Sequence, residues 1–136
     1  MNKLTKCHSC QVNFSCKFPH CQLFRTEDAL MELLADWFAA SKAYSGKWPR
    51  DGKWDWVERS FKRYAEEMHP INGYFLTGFL CLFGFEKCVM ISMYGDDKVS
   101  FDWKGAYEKI ERQDKDMAVR FQTLWNHYNS CSKKLK

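Results

Sequence analysis

The chain has 136 residues, 46% of them hydrophobic and 17% aromatic, and a net charge of +4. That length favours one domain that buries roughly two-thirds of its unfolded surface, and the composition excludes a disordered polypeptide. The basic excess is small and weakly clustered, short of what a dedicated nucleic-acid binder carries.

The first residues, Met1 to Lys6, contain no apolar core of a leader, so no signal peptide is expected. Seven cysteines without a leader predict reduced thiols and a cytoplasmic location. Four of them lie within fifteen residues, as Cys7-x2-Cys10-x5-Cys16-x4-Cys21, with His8 and His20 as spare ligands. Four thiolates suit a tetrahedral zinc ion at about 2.3 Å per Zn–S bond. The short gap between the two pairs differs from zinc ribbons and fingers, where about 12 or more residues intervene. An iron–sulfur cluster is the alternative occupant; disulfides and free thiols are the remaining readings. The run Cys7 to Cys16 is similar to the C-x2-C-x5-C stretch of WhiB-like iron–sulfur regulators over ten residues. That resemblance would imply a redox-sensing regulator. The further cysteine upstream and the Gly-rich tryptophan turn downstream in those proteins are missing here, and the family is not assigned. Val12, Phe14, Phe18, Leu23 and Phe24 are expected to form a small core for this lobe.

The domain therefore divides into a metal-binding lobe, 1–25, and a helical body, 26–136. Thr26-Glu27-Asp28 opens a first helix by capping and by charge. Leu30, Leu33, Leu34, Trp37 and Phe38 give it an apolar stripe, and it should end near Gly46. The segment 46–54 repeats Gly-Lys-Trp and contains Pro49 and Asp51-Gly52, which are turn residues. Trp48 and Trp56, with Lys47, Arg50 and Lys53, form a candidate partner-binding surface, whereas Trp54 is expected in the core.

A second helix is expected from about 51 to 68, with Val57, Phe61 and Tyr64 inward and Asp55/Arg59 and Glu58/Lys62 as supporting pairs. His69-Pro70 ends it. Residues 70–94 are apolar on nearly every face. A buried helix to Gly84 is expected, and then either a short helix or a β-hairpin over 88–101 turning at Gly95-Asp96-Asp97. Cys81 and Cys88 read as inert core thiols. Finally, Trp103, Tyr107, Ile110, Met117, Phe121, Leu124 and Tyr128 recur at spacings of three and four. This predicts one helix over 102–130, about 40 Å long, broken in pattern only at Asp114. Its seam serves the core or, alternatively, a homodimer. The fold expected is mainly α, a bundle of about four helices carrying the four-cysteine metal-binding lobe; the alternative is α+β with one hairpin.

No nucleophile–base spacing, phosphate loop, dinucleotide motif or zinc-hydrolase motif occurs, so a non-enzymatic role is expected. The leading reading is a zinc-stabilised module that docks on a larger protein or protein–nucleic-acid complex. In size and lack of chemistry it is comparable with mobile-element inhibitors of host defence complexes, anti-CRISPR proteins among them. The alternative is a nucleic-acid-binding zinc knuckle. There Phe14 and Phe18 stack on bases, while Lys3, Lys6, Lys17 and Arg25 around the lobe, Lys47, Arg50 and Lys53 in the loop, and the lysines of the tail touch phosphates.

Overall fold

A computed structural model describes residues 27–135. Within them are six helices: α1 (Glu27–Ser45), α2 (Asp55–Glu67), α3 (Pro70–Leu82), α4 (Glu86–Tyr94), α5 (Trp103–Gln113) and α6 (Lys115–Leu135). The chain is mainly α, and no named strand occurs among the described residues. The four-cysteine lobe and the Thr26 cap lie outside them.

The helix α3 is the axis of the body. Ten of its residues are buried, from Ile71 to Cys81, and the other five helices arrange around it. A helix apolar on every face has no choice but the interior. His69 starts it: the side-chain Nδ1 accepts the Ile71 N–H at 3.2 Å, and Pro70 occupies the first helical position, where its missing N–H costs nothing. Burial holds the His69 imidazole below its ordinary pKa, in the neutral form that this acceptor role needs. At Gly78 the absence of a side chain lets α5 and α6 pack directly on the axis. A Cβ there would lie 2.7 Å from Leu124 Cδ2 and 3.1 Å from the Trp103 ring.

Two breaks raise the helix number from the expected four to six. The first follows α3, which ends at Leu82 rather than at Gly84. Gly84 adopts φ 95°, a left-handed conformation natural to glycine, and Phe85 N–H bonds back to the Leu80 carbonyl at 2.8 Å. The chain then re-enters a helix, so 88–94 is neither a strand nor half of a hairpin. Gly95 does turn the chain, but as the left-handed cap of α4 (φ 70°), with its N–H on the Ile91 carbonyl at 2.8 Å.

The second break is at Asp114, where the single 102–130 helix becomes two. Asp114 is extended (φ −159°, ψ 112°). Its N–H closes α5 on the Ile110 carbonyl at 2.8 Å, and its carbonyl oxygen accepts the Ala118 N–H at 3.1 Å. Its carboxylate accepts the Met117 N–H at 3.1 Å, capping α6. The chain reverses on this one residue. Trp103, at the start of α5, therefore meets Phe121, Trp125 and Tyr128 of α6 at ring separations of 5.4, 6.4 and 5.0 Å. The apolar seam folds back on itself and faces α3: Trp103, Ile110, Met117, Phe121 and Leu124 are all buried.

The second helix begins at Asp55, four residues later than expected, because Arg50–Lys53 is a closed turn. The expected charge pairs on it do not form. Arg59 Nε donates to the Asp55 backbone carbonyl at 3.4 Å, and Glu58 turns towards the Cys88 thiol at 3.6 Å.

Candidate docking site

One end of the body gathers the C-terminus of α1, the loop 46–54 and the corner between α3 and α4. The loop is a tight reverse turn. Asp51 (φ 57°) and Gly52 (φ 73°) both take the left-handed conformation, and Lys53 N–H bonds to the Arg50 carbonyl at 3.0 Å. Asp-Gly is the pair that accepts two successive positive φ angles at least cost. Asp51 is the one non-glycine residue with positive φ among the described residues.

The turn is anchored from below. The Cys88 thiol donates to the Gly52 carbonyl at 3.0 Å, and a Cβ on Gly52 would lie 3.2 Å from the Gly84 carbonyl oxygen. Burial, and then the carboxylate of Glu58, push the Cys88 thiol above its ordinary pKa, which keeps the proton it donates. Burial likewise pushes the Cys81 thiol up. Both cysteines are buried, as expected, while Cys131 is exposed. On the other side, Trp54 Nε1–H donates to Ser41 Oγ at 2.7 Å, and the ring packs on Phe38 (4.3 Å) and Phe85 (5.3 Å). Trp54 is a core residue, as expected.

From this base the loop projects Trp48, which is 55% exposed. Lys47, Arg50 and Lys53 are exposed around it, and Arg50 Nε lies 3.8 Å from the Asp51 carboxylate. Trp56 does not join them. It is half-buried among Trp37 (5.0 Å), Tyr64 (5.4 Å) and Trp54 (6.4 Å). Two further rings share this end. Phe83, 41% exposed, lies at the α3–α4 corner with its ring 6.4 Å from Phe38, and Tyr44, 93% exposed, is in the last turn of α1. Lys42 Nζ donates to the Gly46 carbonyl at 2.9 Å and caps that helix. Phe83 escaped sequence reasoning because it belongs to a continuous apolar run, and only the Gly84 break turns it outward. The Gly46 and Asp-Gly signals located the loop itself.

The candidate metal ligands Cys7, Cys10, Cys16 and Cys21, the spare His8 and His20, and Phe14 and Phe18 lie outside the described residues. Among the described residues no group of three or more His, Cys, Asp or Glu side chains could hold a metal ion. None of the helices there is long and apolar enough to cross a membrane. His127 is exposed on α6, at the edge of the seam.

A second polar cluster joins α4, the following loop and α6. The Glu86 carboxylate accepts the Tyr128 O–H at 2.6 Å and the Phe101 N–H at 2.8 Å. Burial first, and then Glu86, push the Tyr128 phenol well above its usual range. The cluster ties α4 and the loop that follows it to α6. Compared with protein-family models, with curated proteins and with solved structures, the chain matches none.

Proposed function

We propose that this protein is a non-enzymatic interaction module that docks on a larger protein or protein–nucleic-acid complex through the Trp48 turn. The observation that carries this reading is an exposed indole two residues ahead of a closed, anchored turn. Burying a large apolar ring in a partner is strongly favourable, and a turn already fixed by the Cys88–Gly52 hydrogen bond loses little freedom on binding. The flanking cations select a partner surface of negative charge. Affinity capture from the native host with the wild-type chain and with Trp48→Ala tests it. A partner retained by the first and lost by the second, then reconstituted from purified components, is the expected result. Capture indifferent to Trp48 contradicts it.

The four-cysteine lobe is, in this proposal, a structural zinc site formed by Cys7, Cys10, Cys16 and Cys21, with an iron–sulfur cluster as the alternative occupant. What supports zinc is the donor set: four closely spaced thiols, enough to close a tetrahedron without the helical body. Among the described residues, the body buries an apolar cluster of its own that runs from Leu30 to Leu124. A strong chelator is therefore expected to remove one metal ion per chain while the far-ultraviolet helical signal persists. Loss of the whole helical signal on chelation would contradict the independence of body and lobe.

A further inference from the structure

The charge and aromatic content of the docking end point to a more definite ligand than a generic partner. Residues 27–136 contain 17 cations and 17 acids, so the body carries no net charge. Within 42–53, by contrast, Lys42, Lys47, Arg50 and Lys53 face a single acid, Asp51, which lies against Arg50. Asp55, exposed at the start of α2, and Glu58, whose carboxylate lies 3.6 Å from the Cys88 thiol beneath the turn, are the next acids along the chain. Four cations against these three acids leave this end a small positive excess on a neutral body. It coincides with three of the large apolar side chains the body leaves exposed, Tyr44, Trp48 and Phe83, which come from three separate segments.

We propose that this end binds single-stranded nucleic acid, with Trp48 as the principal stacking platform and Lys47 and Lys53 on the phosphates. The proposal rests on the reading of this end as the docking surface and names its ligand. Exposed rings interleaved with cations are the physical requirement for holding an unpaired strand, because each base offers a flat face and each linkage a charge. An acidic peptide meets the cations but offers a planar face only where it carries an aromatic side chain, whereas every nucleotide carries one. A lipid surface is met by one continuous amphipathic helix face, whereas these rings project from a helix end, a turn and a corner. A duplex hides its bases from all three.

The test is fluorescence anisotropy of the full chain with a labelled oligothymidylate of about 12 nucleotides, across a salt series. The wild type is expected to bind the single strand in preference to the duplex. Trp48→Ala is expected to weaken binding roughly 5- to 100-fold. Lys47→Gln with Lys53→Gln is expected to flatten the slope of log K against log salt by about 1.4, since each lost phosphate contact on a single strand removes about 0.7. Both variants change exposed side chains only, and unchanged melting curves establish that they are folded. Failure of the wild type to bind, binding that ignores Trp48, equal binding of polyglutamate, or preference for the duplex or for phosphatidylglycerol vesicles each overturns the proposal. If partner capture still depends on Trp48 while the oligonucleotide fails to bind, the single strand is refuted and the docking surface stands.

Discussion

Replacing Phe121 with alanine is expected to cost about 3–5 kcal/mol, the penalty for emptying a buried aromatic site. Phe121 has no exposed surface. Its ring meets Phe75 of α3 edge-on at 5.4 Å, Trp103 of α5 at 5.4 Å and Phe101 of the preceding loop at 6.3 Å. One side chain therefore holds together the axis, both arms of the C-terminal hairpin and the loop that leads into it. Domains of this size are stable by only about 5–15 kcal/mol, so the variant should melt roughly 10–20 °C below the wild type. The shift should be the same across a wide range of protein concentration. Had the seam served a homodimer, the melting temperature would depend on concentration, and the loss would be greatest in dilute solution. Thermal melting at several concentrations separates the two uses of the same residues.

That seam also marks how far the sequence could be read. Its three-and-four spacing continues from Trp103 to Tyr128, and each buried position in it was legible. The reversal at Asp114 was not. Periodicity records which side of its own helix a residue occupies; a helix that doubles back onto the same core keeps that record intact. The signal was Asp114 itself, an acid on an apolar stripe. It acts as a cap rather than a solvated gap because its carboxylate accepts the Met117 N–H three residues on. The stretch after Pro70 shows the converse. Its uniform hydrophobicity correctly announced burial and left helix and hairpin undecided, and the left-handed conformations at Gly84 and Gly95 divide it into α3 and α4. At the docking end, the Asp-Gly pair made the turn legible and Trp48 with it. Phe83 and the half-burial of Trp56 depend on which segments meet, and no local pattern encodes that.

The Glu86–Tyr128 bond spans 42 residues and was equally hidden. Glu86→Ala is expected to cost about 2–4 kcal/mol, because it strips the acceptor from two donors, the Phe101 N–H and the Tyr128 O–H. Tyr128→Phe removes one bond without leaving the main-chain donor unmet, and about 1–2 kcal/mol is expected. The double variant should cost less than the sum, and the difference measures the coupling of the pair. The pH dependence gives an independent check. The Tyr128 phenol is raised in the folded state, so the fold favours its protonated form. That contribution is complete below the unfolded value near 10 and is lost as pH rises beyond it. Cys81 and Cys88 are raised as well and add to the same alkaline decline from their ordinary value of 9.0 upward. The wild type should therefore lose stability steadily from about pH 9 upward, and Tyr128→Phe should lose less of it above about pH 10 while both cysteines still titrate. Urea titrations at neutral and alkaline pH provide the comparison. Parallel decline in the two proteins would mean that the phenol is not held by Glu86, and the link between α4 and α6 would have to lie elsewhere.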